Sequence, residues 1–384
     1  MIKSIEVITV KSIFDSKNQL LRHPAAHFAK FPRLGQESVI VKIMDEKGNV
    51  GLGEAWGLPC AKSCAVFIED YLAPLCQNTN YDDYLGTWQT QWQDIHNHLM
   101  TLGHVEGNGM DALSGIDIAL ADLHARQKKQ SVAEMLGSKL KTIKTYVSPV
   151  MLHEEIIDSV KNAVQFINEG HKGLKLKVGR GIEKDYDHVS AIRKAIGNDI
   201  SLFLDANNAY NLQDSIALAN HMEKLNITWL EDPLKPEIQF EMSKLREQIS
   251  IPIASGEALH APASFNQMLE SKSVDYLVVN ISRVGGFTGL KHIHDLCQKY
   301  NVALSLHGVG TALTQVASIH ALSVLEPKAL MEWNVFYNPM RHELFHQNPS
   351  INKSFVFAPE GIGLGMTLNE SSLKQFQECE YLAC

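Results

Sequence analysis

The segments SLFLDAN (201–207), ITWLEDP (227–233) and IPIASGE (251–257) decide the fold of this chain. Each is a short, apolar, β-rich run that closes on an acid, namely Asp205, Glu231 and Glu257. Residues 205, 231 and 257 stand at equal intervals, 26 apart. That interval fits one strand plus one helix. Similar runs extend the series in both directions. Before it come TYVSPVM (145–151) and GLKLKVG (173–179); after it come YLVVNIS (276–282), ALSLHGV (303–309) and ALMEWNV (329–335). Stretches with helical spacing, such as EEIIDSVKNAVQFINEG and DSIALANHMEKL, lie between them. Eight evenly spaced parallel strands, each followed by a helix, describe a closed α/β barrel. A doubly wound open sheet is the rival, but it usually lacks eight even units.

The first 125 residues read differently. ITVKSIF and ESVIVKIMDEKGNVGLGEAWG look like antiparallel strands with a turn at EKGN. Helical stretches follow, ending in MDALSGIDIALADLHARQ. The expected organisation is an α+β domain over 1–125 and a modified barrel over 126–354. The tail from about 355 to 384, beginning FVFAPEGIGLG, is expected to complete the first domain.

In a barrel the three acids sit at equivalent strand ends. Neighbouring strands are about 4.8 Å apart, so the carboxylates converge at the mouth where barrel active sites lie. Three such charges repel unless a hard divalent cation joins them. Mg²⁺ prefers six oxygens at about 2.0–2.1 Å, so three protein ligands leave room for water and substrate. Asp205, Glu231 and Glu257 are therefore the expected Mg²⁺ ligands.

GLKLKVG places Lys175 and Lys177 on one face of one strand. Two lysines inside a barrel need an anionic partner. Lys177 is the candidate base, with Lys175 and the metal expected to disfavour its protonated form. His307 ends the seventh strand, across the barrel. Glu332 ends the eighth and is a candidate to hydrogen-bond a substrate carboxylate or oxyanion if protonated. Asn207 and Asn280 are further candidate substrate contacts. The loops around LLRHPAAHFAKFPR and Trp56 are expected to set substrate identity, with His23 and His27 as contacts.

Taken as an ordered set, the KxK strand, DANNAY, EDP, SGE, NISRVGG, the His307 strand and Glu332 resemble the mandelate racemase-like subgroup of the enolase superfamily. IDIALADLHAR and PEGIGLG extend the resemblance over nearly the whole chain. It implies a capping domain on a (β/α)7β barrel, one Mg²⁺, and a substrate carboxylate whose α-proton is removed to give an enediolate. By position Lys177 matches the family's lysine base and Lys175 a carboxylate-neutralising lysine. His307 matches the histidine of the opposite face.

One position departs from the family. Its histidine is usually paired with an aspartate at the end of the sixth strand, and here that residue is Asn280. Asp275 lies five residues earlier, on the opposite face by parity. An amide can orient an imidazole but supplies no charge to raise its pKa. His307 is thus expected as an acid or hydrogen-bond donor. The resulting expectation is an acid-sugar dehydratase. A racemase or epimerase, and a barrel that binds acid or metal without turnover, are the alternatives.

Composition narrows the rest. The chain has 384 residues, 45% apolar and 20% charged, with a net charge of −8. No basic block suggests nucleic acid, and no long apolar run suggests a membrane span. The six cysteines are scattered without CxxC spacing, which suits reduced thiols. A cytoplasmic homo-oligomer acting on a small carboxylate is expected. HELFH (342–346) matches a zinc-protease pattern, but it lies beyond the eighth strand with no third ligand.

Overall fold

The computed structural model describes residues 2–13, 35–77, 83–234, 239–326 and 329–377. His23 and His27 lie outside the described residues. Strands β1 (Ile2–Ile13), β2 (Gly35–Asp45) and β3 (Val50–Trp56) form an antiparallel sheet. The EKGN turn between β2 and β3 is closed by Asp45, which accepts from the amides of Lys47 and Asn49. Helices of eight residues or more are numbered here, beginning with α1 (Gln89–Thr101) and α2 (Asn108–Gln127).

α2 is buried from Gly109 to Ala125 because the sheet covers one side and the barrel the other. Its contact with β3 is backbone to backbone. A Cβ at Gly53 would meet the Gly115 carbonyl oxygen at 2.0 Å, and one at Gly51 the Ala119 oxygen at 2.2 Å. Only glycine permits that approach, which is why β3 reads GLGEAW.

The barrel begins at β4 (Ile143–Val150), followed by α3 (Ile156–Asn168) and β5 (Gly173–Lys177). Next come α4 (Ile182–Ile196), β6 (Ser201–Asp205), α5 (Leu212–Met222), β7 (Ile227–Glu231) and α6 (Gln239–Gln248). Then follow β8 (Ile253–Ser255), α7 (Pro262–Glu270), β9 (Tyr276–Val279), α8 (Gly286–Tyr300), β10 (Ala303–Leu306), α9 (Ala312–Leu325) and β11 (Leu330–Asn334). All eight strands are parallel in sequence order, and β11 pairs with β4 to close the ring. Seven β/α units plus a final strand make a (β/α)7β barrel, so the closed barrel displaces the open-sheet rival.

The interior is filled. Tyr146, Phe203 and Trp229 form an aromatic layer with ring centroids 4.4–5.5 Å apart. Side chains two apart on a strand share a face. Phe203 therefore lies beneath Asp205 and Trp229 beneath Glu231, and the aromatic layer is the floor of the barrel mouth.

Glu54 of β3 reaches across to the barrel. It accepts from the amides of Thr311 and Thr314 at 2.8 and 3.0 Å, from Thr311 Oγ1 at 2.5 Å, and from Ser38 Oγ. A carboxylate at the start of α9 satisfies amides with no partner inside the helix and suits the helix dipole.

After the barrel, β12 (Ser350–Asn352) and β13 (Phe355–Phe357) pair antiparallel, and β13 lies against the start of β4. The chain then returns to α2, where Leu364 donates to Asp122 at 2.6 Å, and α10 (Glu370–Gln377) packs on β1. HELFH is not helical, so its histidines do not share the helix face a zinc site needs. Among the described residues no helix is long and apolar enough to cross a membrane.

Candidate active site and metal centre

Asp205 and Glu231 are the last residues of β6 and β7 and are direct ladder neighbours; Lys177 is the ladder neighbour of Asp205 on the other side. Glu257 stands two residues beyond the end of β8, in a turn. The chain leaves the ladder at residues that tolerate left-handed backbone: Asn207 (φ 42°), Asn208 (φ 63°) and Asp232 (φ 41°). One carboxylate oxygen from each of Asp205, Glu231 and Glu257 lies within 4.8 Å of the others.

The lysines lock onto these acids. Lys175, fully buried, donates to Glu231 at 2.5 Å and lies 3.4 Å from Asp205 and 3.6 Å from Glu332. Lys177 donates to Asp205 at 2.5 Å and to Asn207 Oδ1 at 2.9 Å. Asn207 Nδ2 in turn approaches Glu257 at 3.4 Å, so Asn207 bridges the candidate base and a candidate ligand.

The expected depression of the Lys177 pKa relies on a bound cation, and in the protein without one the direction is the opposite. Burial pushes it down and Lys175 does the same, but Asp205, with Glu257 and Glu332, outweighs them and the net direction is up. Glu332, expected to donate only if protonated, is shifted in the other direction in the protein without a cation. Burial would raise its pKa, yet Lys175, His307 and Lys177, with the Gly308 amide at 2.8 Å, hold it far below the usual carboxylate range. Glu332 thus faces Lys175 at 3.6 Å with its charged form favoured.

The cluster suits a divalent cation. Five carboxylates (Asp205, Glu231, Asp232, Glu257 and Glu332) face two lysines. The shortage of positive charge shows in Glu231: burial first, then Asp205, Glu257 and Asp232, drive its pKa well up despite Lys175. Asp232 is raised for the same reasons, burial and then Glu257 and Asp205. Glu257 Oε2 is buried and accepts no aligned hydrogen bond; His307 Nε2 is 3.2 Å away. Hard oxygen donors with an orphaned carboxylate oxygen fit Mg²⁺.

His307 follows β10, and its Nε2 faces Glu257 and Glu332 at 3.2 and 3.6 Å. Burial pushes its pKa down, against the two carboxylates. Behind it, Asn280 is not turned toward the barrel mouth, which corrects its reading as a substrate contact. Its Oδ1 accepts from the Ser282 amide at 2.9 Å, so its Nδ2 faces His307 Nδ1 at 3.1 Å and also donates to the Val309 carbonyl. With a donor fixed at Nδ1, the neutral imidazole carries its proton on Nε2, facing the site. Asp275 is elsewhere, paired with Arg246 at 2.6 Å.

Two neighbours complete the site. Asp232 is buried beside the acids and accepts from Ser255 Oγ at 2.5 Å. It was legible only as part of EDP, where Glu231 takes the strand-end position. Trp56, at the end of β3, places its indole 6.1 Å from the His307 ring. Its amide donates to the Ser282 carbonyl at 3.1 Å. The N-terminal sheet thus closes the histidine side.

Comparison with known proteins identifies the family and agrees with the fold. A family model described as mandelate racemase / muconate lactonizing enzyme, N-terminal domain, matches residues 10–137, and one described as enolase C-terminal domain-like matches residues 158–372. D-galactarolactone cycloisomerase of Agrobacterium fabrum is 28% identical, over 88% of this chain and 91% of that protein. Arabinonate dehydratase of Saccharolobus solfataricus is 23% identical over 89% and 91%. The crystal structure of 3,6-anhydro-D-galactonate cycloisomerase from Zobellia galactanivorans superposes with a TM-score of 0.85 at 30% identity. It covers 98% of this chain and 99% of that one.

Proposed function

Since the chain belongs to the mandelate racemase / muconate lactonizing enzyme family, we propose that it is an acid-sugar lyase, removing the proton beside a carboxylate and expelling the oxygen on the next carbon. The observation that carries this reading is the Asn280–His307 contact, 3.1 Å from Nδ2 to Nδ1. It makes His307 a hydrogen-bond donor toward the site. A racemase needs a base on each face, and this contact leaves Lys177 as the base on one face only.

Asp205, Glu231 and Glu257 would hold Mg²⁺. When bound, the ion supplies positive charge against the substrate carboxylate and the negative charge that builds as the proton leaves. Asp205, shared with a ligand role, would then hold the Lys177 ammonium group less tightly. Lys177 takes the proton from C2. The electron pair forms a C2–C3 double bond and breaks the C3–oxygen bond. His307 Nε2–H and the newly protonated Lys177 are the donors available to the departing oxygen. The enol left behind becomes a 2-keto-3-deoxy acid. Lys175, anchored by Glu231 and Glu332, adds fixed positive charge beside the carboxylate.

When the oxygen at C3 is a hydroxyl, the reaction is dehydration. When it is a ring oxygen, the same bond changes open the ring and lose no water, which is cycloisomerisation. The 30% identity to a 3,6-anhydro-D-galactonate cycloisomerase favours including that second outcome. The test is a panel of aldonic, aldaric and 3,6-anhydro-galactonic acids incubated with Mg²⁺ and assayed for 2-keto-3-deoxy acids. Product from at least one acid is expected; none from any member would overturn the reading.

A further inference from the structure

Of the three candidate ligands, Glu257 is the one that no strand fixes. Asp205 and Glu231 are held in the ladder, but Glu257 follows Gly256, whose φ of +128° is open to glycine alone. A Cβ at Gly256 would also crowd the Val278 carbonyl at 3.1 Å. The turn is stitched locally by the Leu259 amide donating to Gly256 at 3.0 Å. Something else must hold the Glu257 backbone.

Arg283 does so. It follows β9 in NISRVGG and donates from Nη1 to the Glu257 carbonyl at 2.9 Å. Its Nη2 donates to His260 Nε2 at 2.9 Å. Residue 257 lies inside the turn and residue 260 just past it, so one planar guanidinium grips the turn and its exit. That fork geometry is what arginine offers and lysine does not.

The guanidinium is itself held by the N-terminal region. Its carbon lies 4.7 Å from the centre of the Trp56 ring, a cation–π contact. Asp111, in the first turn of α2, stands 3.7 Å from Nε and 3.3 Å from His260 Nε2. On the other side Glu106 accepts from the His260 amide at 3.2 Å and from Ser264 Oγ. The turn that carries the third ligand is thus pinned from two sides by residues preceding the barrel.

We propose that Arg283 is a positioning residue that sets Glu257 in the metal site and ties metal affinity to the docking of the N-terminal domain through Trp56, His260 and Asp111. This rests on the reading of Asp205, Glu231 and Glu257 as metal ligands. Residues that orient ligands change metal affinity by about 10–100-fold.

The experiment titrates the full-length protein with Mn²⁺ and follows the free ion by electron paramagnetic resonance. Melting of the metal-free protein is recorded alongside. Glu257→Gln reports on the underlying reading: if it leaves Mn²⁺ affinity unchanged, the metal site itself is misassigned. With that control in place, Arg283→Met is expected to weaken Mn²⁺ binding about 10-fold or more while still melting cooperatively. Arg283→Lys, which can restore one donor to the Glu257 carbonyl, should recover part of the loss. His260→Ala, which removes one end of the clamp, should weaken binding in the same direction by a smaller factor. If Arg283→Met does not fold, His260→Ala carries the test. Wild-type Mn²⁺ affinity in a folded Arg283→Met protein, or in His260→Ala when that variant carries the test, would overturn the proposal.

Discussion

Lys177 Nζ lies 2.5 Å from Asp205 Oδ2, so the candidate base and the candidate metal centre share one carboxylate. An ion bound to Asp205 must displace or weaken that contact. Lys177→Met removes the competitor and should leave Mn²⁺ bound at least as tightly as in the wild type. Weaker Mn²⁺ binding in Lys177→Met would mean that the lysine supports the metal site instead of competing with it.

Asn280 fixes the His307 tautomer, and a carboxylate there would reverse it. In Asn280→Asp the new acid accepts from Nδ1–H and leaves the lone pair on Nε2. The expected ¹⁵N signals of His307, assigned by difference with His307→Gln, show the proton on Nε2 in the wild type and on Nδ1 in Asn280→Asp. The same tautomer in both proteins would remove the basis for one-base chemistry.

Glu54 joins the N-terminal sheet to α9 through two amides and the Thr311 hydroxyl, while Ser38 of its own sheet donates as well. Gln in its place keeps the volume but turns an amide donor toward donors. A loss of about 2–3 kcal/mol is expected, since hydrogen bonds to buried charged groups are worth about 1.5–3 kcal/mol each before the fold relaxes. Urea unfolding measures it; an unshifted midpoint would show that α9 is held without this carboxylate.

Asp117 offers a pH test away from the metal. It is fully buried and accepts from Trp88 Nε1, Tyr84 Oη and both polar groups of Thr288. Burial raises its pKa from 3.8 to about 6, although those hydrogen bonds oppose the shift. The folded state therefore binds this proton more tightly than the unfolded chain. The group favours folding at low pH, and that contribution is lost as pH rises from about 4 through about 6. A shift of about two units corresponds to about 3 kcal/mol. Stability measured by urea at pH 4.5 and 7.5 should show about two-thirds of this component in the wild type and lack it in Asp117→Asn. Identical pH dependence in both would contradict the assignment.

The barrel was legible because its strands are buried runs at one repeat, and several of them, among them β5, β6 and β7, end on a charged residue that marks the mouth. Asp205, Glu231 and Lys177 were legible for the same reason, since strand parity and register place them. What the sequence could not show depends on partners distant along the chain. The downward shift of Glu332 depends on Lys175, and the upward shift of Lys177 on a direct bond to Asp205. The turn of Asn280 away from the mouth depends on the Ser282 amide. Arg283 was visible only as a letter in NISRVGG, because its role needs Trp56 and Asp111 brought from the first domain.

The most direct test of acid-sugar elimination by Lys177 is proton NMR of the same panel of aldonic, aldaric and 3,6-anhydro-galactonic acids in D₂O with Mg²⁺. The expected result is a 2-keto-3-deoxy acid from one of them with wild-type protein. Lys177→Met should lower its rate by about 10²–10⁴-fold, the usual worth of a positioned base, and removing the metal with a chelator should abolish it. Product formation that persists undiminished in Lys177→Met would contradict the assignment of the base, and the absence of both product and α-deuterium exchange would contradict the reaction.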